Sequence, residues 1–145
     1  NVGAMLVAFI SIVALVNYLL SFAGTSMDAI LAIVFKPLAW TMGVPWEEAG
    51  QMGMLMGKKI VFTELIAYGD LKDIIAEGQI SERTAIIASY ALCGFANFGS
   101  IGIQLGGIGG MAPERKKDLA KLVTKAMVGG ALASWLTATV AGILI

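Results

Sequence analysis

Thr84-Ala85-Ile86-Ile87-Ala88-Ser89-Tyr90-Ala91-Leu92-Cys93-Gly94-Phe95-Ala96-Asn97-Phe98-Gly99-Ser100-Ile101-Gly102-Ile103-Gln104-Leu105-Gly106-Gly107-Ile108-Gly109-Gly110-Met111 runs for 28 residues without a charge. At 1.5 Å per residue, such a run is long enough to cross the roughly 30 Å hydrocarbon core of a bilayer. It also holds Gly94, Gly99, Gly102, Gly106, Gly107, Gly109 and Gly110, which a continuous helix tolerates poorly. The stretch reads as a broken spanning helix over 84–111, interrupted at Phe95-Ala96-Asn97-Phe98-Gly99-Ser100. Unwinding a helix at that depth frees backbone groups and exposes helix ends whose partial charges can hold a polar solute. Asn97 and Ser100, three apart, share one side if the local turn is near-helical. The alternative is a glycine-rich kink in which Asn97 satisfies backbone carbonyls.

Outward from this stretch the chain is equally apolar. Of its 145 residues, 58% are hydrophobic and only 14% charged, with a mean hydropathy of +0.84; a soluble domain carries about 25% charged residues. Ten basic residues balance ten acidic ones, so no basic field exists for nucleic acid. The single Cys93 makes no internal disulfide, and the absence of His removes the usual zinc sites and His-based triads. No catalytic, metal or cofactor residues are expected. Val2 to Ala23 is free of charge and, at about 33 Å, spans the bilayer core as a helix. A signal peptide would show a basic region ahead of its apolar run; the run is therefore read as a spanning helix. A chain that opens in this way, at Asn1, reads as part of a longer protein. Ala126 to Ile145 is a third uncharged run, entered through Pro113-Glu114, a proline near a helix start with acid in the first turn. A spanning helix is expected over 113–145.

Between the first two spans the apolar stretches are short and punctuated by charge, Pro and Gly. Ser26 and Asp28 start an interfacial helix over 26–42, and Val44-Pro45-Trp46-Glu47-Glu48 starts a second helical unit. Two short apolar helices back to back predict a re-entrant hairpin over 45–77, a form that survives at membrane depth only where protein or water covers it. A peripheral amphipathic pair is the other reading. The resulting fold class is an all-α membrane protein with three spanning helices, one of them broken, plus an interfacial helix and a re-entrant helical hairpin. Glu64, in Val61-Phe62-Thr63-Glu64-Leu65-Ile66-Ala67, is costly in an apolar segment unless it faces a water-filled cavity or a partner, and so marks a site; the alternative is pairing with Lys58 or Lys59. Arg115, Lys116, Lys117, Lys121 and Lys125 place the Ala112–Lys125 loop in the cytoplasm and the C-terminus outside. In the last helix Ala126, Gly130, Ser134, Ala138 and Gly142, with Gly129, Ala133, Thr137 and Ala141, form a small-residue face expected to be buried, with Leu132, Trp135, Leu136 and Ile143 pointing elsewhere.

The string from Tyr90 to Gln104, followed by Gly106-Gly107-Ile108-Gly109-Gly110-Met111-Ala112-Pro113-Glu114-Arg115, closely resembles the C-terminal signature of concentrative nucleoside transporters. Gly43-Val44-Pro45-Trp46-Glu47-Glu48-Ala49-Gly50 and Thr63-Glu64-Leu65-Ile66-Ala67-Tyr68 are similar to the second hairpin of that family, and the resemblance covers essentially the whole chain. It implies a homotrimeric, multi-pass transporter in the plasma membrane, for a bacterium the inner membrane, driving nucleosides inward by sodium or proton symport. The chain is then the C-terminal half, supplying the second hairpin and second broken helix. In the family the hairpin acid and the Asn and Ser of the broken helix bond the ribose; the matching positions are Glu64, Asn97 and Ser100, with Phe95 near the sugar. A carboxylate accepts from sugar hydroxyls, an amide donates and accepts, and a hydroxyl does either.

Thr63 stands where many members have Asn, and Gly99 where many have Ser; neither removes a principal ribose contact. The base-reading hairpin and the sodium site belong to the missing N-terminal half, so nothing here selects purine or pyrimidine, and no cofactor beyond the coupling ion is implied. Rival readings are a non-transporting membrane scaffold, a channel-like subunit and a nucleoside-recognition membrane domain. An intramembrane enzyme has only Cys93, Ser100 or Glu64 to draw on and no matching motif.

Overall fold

The computed structural model describes residues 2–145, and ahead of Ser11 only the side chain of Val7; the reading of the chain's opening at Asn1 lies outside those residues. The described backbone is helical throughout, in seven α-helices and one 3-10 turn: α1 (Val2–Phe22), α2 (Met27–Thr41), α3 (Ala49–Val61), α4 (Glu64–Ala76), α5 (Glu82–Leu92), α6 (Phe98–Met111), the 3-10 turn Pro113–Arg115, and α7 (Lys116–Leu144).

Local chemistry sets most of these boundaries. Ser26 caps α2 by accepting from the Ala29 amide, and Ser81 caps α5 by accepting from Thr84; each satisfies one of the donors a helix N-terminus leaves open. The Met27 amide donates to Asn17 Oδ1 at 2.8 Å. This pins the corner at which Ser11–Phe22 and Met27–Thr41 meet at 94°. The helix that Val44–Glu48 leads into begins at Ala49. Glu48 makes no side-chain cap there; its carboxylate accepts from the Ser81 amide and hydroxyl at 3.1 and 2.9 Å, closing the two ends of the α3–α4 hairpin onto each other.

The core is built around α3. Met52, Leu55 and Met56 are fully buried against Ala39, Met42 and Val44, against Ala67, Leu71 and Ile74 of α4, and against Ile87, Ala88, Ala91 and Leu92 of α5. Gly53 and Gly57 let α3 lie directly on α2: a Cβ at Gly53 would sit 2.8 Å from the Ala32 carbonyl oxygen, and one at Gly57 would run into the Leu31 side chain. A second cluster joins Ala96 to Met127 and Ala131 of α7. Arg83 gathers the carbonyls of Gly43, Gly142 and Ile145 at 3.1, 2.5 and 2.7 Å, so α7 ends on a cation, as the helix dipole favours.

Two sequence expectations change in detail. The glycines from Gly99 to Gly110 do not interrupt the helix; all lie within α6. The break falls earlier, at residues 93–97, where Gly94 takes φ +110° and Asn97 starts a new helix. On α7 the buried stripe is Val123, Met127, Ala131, Ser134, Ala138 and Gly142, so only part of the small-residue face is covered and Gly129, Ala133 and Thr137 are exposed. Trp135 turns inward, its ring 5.9 Å from that of Phe35. Leu132, Leu136 and Ile143 point outward.

By length and apolarity, Pro113–Leu144 is a helix fit to cross a membrane, and Ser11–Phe22 with Met27–Thr41 qualifies as one bent pair. α5 and α6, of 11 and 14 residues, are each too short to cross alone. Val7, Ile12, Leu15 and Phe22 on α1, with Leu136, Ile143 and Leu144 on α7, present large exposed apolar side chains, a surface that suits lipid or further protein and not water.

Candidate functional site

Two helix interruptions converge. In the hairpin, only Phe62 and Thr63 separate α3 from α4. Thr63 is extended (φ −151°, ψ 159°), and its hydroxyl faces the Ile66 amide as the cap of α4. Thr is one of the residues that favour this capping position. Glu64 is therefore the first residue of α4, where the positive end of the helix dipole stabilises a carboxylate.

The second interruption lies between α5 and α6. The positive φ of Gly94 turns the chain out of α5, a conformation that glycine adopts without a Cβ penalty. Asn97, extended at φ −142°, then caps α6. Its Oδ1 accepts from the Ser100 amide at 2.8 Å, while Ser100 Oγ donates to the Asn97 carbonyl at 2.6 Å and faces the Asn97 amide at 3.4 Å. Both residues are fully buried.

Across the gap, Asn97 Nδ2 donates to Glu64 Oε2 at 3.0 Å. The N-termini of α4 and α6 thus point at one half-buried carboxylate. No ion pair reaches Glu64 among the described residues. Of the two lysines weighed as its partners, Lys58 bridges Asp28 of α2 and Asp70 of α4 at 2.9 and 2.6 Å. Lys59 makes no ion pair with Glu64, although the two charges lie within electrostatic reach of each other. Glu64 keeps acceptor capacity beyond its bond to Asn97, the one it makes among the described residues, and a carboxylate's lone pairs suit a neutral solute rich in hydroxyls. The structure thus brings Glu64, Asn97 and Ser100 together, with the Ser100 hydroxyl engaged in the cap. Phe95, two residues before Asn97, is about half exposed at the break.

Lys59 is a residue whose place the sequence reading missed. It is fully buried, and its ammonium donates to the carbonyls of Ala91 and Cys93 at 3.0 and 3.3 Å and to Ser134 Oγ at 2.7 Å. Its only sequence signal is a lysine in a Gly-flanked apolar run. Next to it a cleft of about 260 Å³ opens at the break, lined by Tyr90, Cys93, Gly94, Gly130, Ala133, Ser134 and Thr137. Among the described residues no group of three or more His, Cys, Asp or Glu side chains is arranged to hold a metal.

The family described as "Na+ dependent nucleoside transporter C-terminus" matches residues 1–142. The uncharacterized transporter YutK of Bacillus subtilis is 47% identical over 152 residues, which cover 100% of this chain and 37% of that relative. Sodium/nucleoside cotransporter 1 of Rattus norvegicus is 39% identical over 164 residues, 99% of this chain and 25% of its own length. Among solved structures, CNTnw in an inward-facing substrate-bound state superposes with a TM-score of 0.86 at 44% identity, over 97% of this chain and 36% of that one. The chain thus spans a quarter to somewhat over a third of the length of these proteins. The named relatives are transporters and not enzymes.

Proposed function

The chain belongs to the concentrative nucleoside transporter family, as a match to its C-terminal region, and on that premise we propose that it supplies the ribose-binding side of an ion-coupled nucleoside symporter. One observation carries the reading: a half-buried carboxylate at the head of α4 accepts from the buried amide of Asn97 at the head of α6, with no cation paired to it among the described residues. A carboxylate held this way is costly in an apolar setting unless a polar solute or water completes its shell. Helix N-termini meeting at chain interruptions are the recurrent form of transporter sites.

In this reading α3 and α4 are the arms of a re-entrant hairpin, and α5 with α6 is a broken span that exposes its freed groups to the solute. α2 lies along the interface after α1 crosses, and α7 crosses last with its basic entry in the cytoplasm. Glu64 and Asn97 take the ribose hydroxyls, Ser100 holds Asn97 in place and reaches the sugar when the cap opens, and Phe95 packs against it. Sodium is the coupling ion that the family description favours, bound mainly by residues N-terminal to the region matched here. Assembly as a homotrimer rests on the family resemblance.

The test is uridine binding by calorimetry to a full-length transporter carrying this segment, beside the 145-residue chain alone. Binding is expected only for the full-length form, which completes the site. Glu64→Gln is expected to weaken it by about 1–3 kcal/mol, the cost of a disturbed buried hydrogen bond. Unchanged affinity in that variant would remove Glu64 from the site. A penalty that disappears for one deoxyribose analogue would identify the hydroxyl it reads.

A further inference from the structure

A helix that stops inside a protein leaves its last carbonyls without the amides of a following turn. At the end of α5 those of Ala91 and Cys93 lose their helical partners because the chain turns out at Gly94 and Asn97 starts a new helix, its own amide facing Ser100 Oγ. Carbonyls of this kind, at the negative end of a half-helix dipole, are where broken helices in transporters gather an inorganic cation. Here the cage is already filled. Lys59 Nζ lies 3.0 and 3.3 Å from the two carbonyl oxygens and 2.7 Å from Ser134 Oγ. The Ser134 hydroxyl in turn faces the Gly130 and Ala131 carbonyls at 3.1 Å each, which directs its lone pairs to the ammonium. Three acceptors match the three donors of an ammonium, the side chain is fully buried, and no carboxylate pairs with it among the described residues.

We propose that Lys59 is a tethered cation that replaces a bound inorganic ion at this break, locking α3, the end of α5 and α7 together so that Asn97 meets Glu64. It is a positioning residue: it acts on the solute through the Glu64–Asn97 pair, and in that respect rests on the reading given above. Because the positive charge arrives on the chain itself, this side of the site takes its binding geometry with or without sodium.

The test uses a full-length transporter carrying this segment, two variants and a small cation as probe. Lys59→Met keeps most of the stem's bulk and removes the charge; uridine affinity is expected to fall about tenfold or more, the order of losing charge-assisted hydrogen bonds. Lys59→Ala empties the cage, and affinity is expected to recover at least partly in tens of millimolar ethylammonium but not in the uncharged control 1-propanol. Affinity of the Met variant equal to wild type would overturn the proposal. So would equal recovery with alcohol and with ammonium, or variants that stay unfolded with ethylammonium present, since each assigns the lysine a packing role alone. Failure of the unsubstituted transporter to bind uridine, or of Glu64→Gln to weaken it, instead strikes the functional reading and is seen before any Lys59 variant is measured.

Discussion

Gly94 carries the turn on which the site depends. Its φ of +110° lies where side-chain-bearing residues are strained, yet a Cβ there would meet only Ser134, at 3.7 Å from Oγ. Gly94→Ala therefore isolates the backbone cost: a loss of about 1–3 kcal/mol is expected, read as a lower midpoint in thermal or denaturant unfolding. The same separation of roles applies at Asn97, which both caps α6 and donates to Glu64. Asn97→Ser keeps a good cap while removing the amide; Asn97→Ala removes both. Equal stability but weaker uridine binding in the Ser variant is expected if the amide serves the solute. The candidate pair was legible in the sequence, because an acid and an amide inside apolar runs are conspicuous wherever the chain goes. Lys59 was not legible in this way. Its partners are mostly main-chain carbonyls, which carry no side-chain signature, and they are free only because the helix breaks 34 positions downstream.

The element that most departs from a simple reading is α6. Glycine lowers helix propensity, so a run holding Gly99, Gly102, Gly106, Gly107, Gly109 and Gly110 looks like the place for a break. The helix nevertheless runs from Phe98 to Met111, because Asn97 and Ser100 secure its first turn and no competing turn residue follows before Pro113. A Cβ at Gly106, Gly107 or Gly110 would meet nothing within 4 Å among the described residues. Gly106→Ala and Gly107→Ala are thus expected to stabilise the isolated chain, each by about 0.5–1 kcal/mol. If the same changes abolish uptake by a full-length transporter, another backbone passes close to this face there, as small residues in membrane helices permit. On α7 the sequence pattern overcounted in the opposite sense. Small residues recur around most of the helix, and among the described residues the covered part is the one facing Ala96, Ile87, Met42 and Lys59.

At the scale of the molecule, caps and charge-free runs were enough to mark most of the helices, since each signal is local. How the helices stack was not readable in this way, because it rests on pairs distant in sequence. The α2–α3 crossing is the clearest case. The atoms nearest a Cβ at Gly57 all belong to the side chain of Leu31, whereas those nearest one at Gly53 are backbone of Ala32, Phe35 and Lys36. Gly57→Ala is expected to destabilise by about 1–3 kcal/mol, and Leu31→Gly, which also removes the Leu31 Cβ nearest to it, is expected to relieve most of that clash in a double-mutant cycle. Gly53→Ala is expected to show no such relief, since a main chain cannot be trimmed; additive losses in both cycles would contradict the crossing.

That crossing also decides how the hairpin bends. With α2 pressed on one side and Lys59 anchored on the other, α3 is a clamped beam, stiff along its length. α4 is held at both ends: at its head by the short link of Phe62 and Thr63, and just past its tail by Glu48, whose carboxylate accepts from Ser81. Between them Ala67, Leu71 and Ile74 pack into the core, and Tyr68 donates to the Ser89 carbonyl. A beam braced at both ends yields most at its middle and least beside its supports. Glu64, the first residue past the link, sits beside such a support, where flexing of the arm disturbs its contact to Asn97 least.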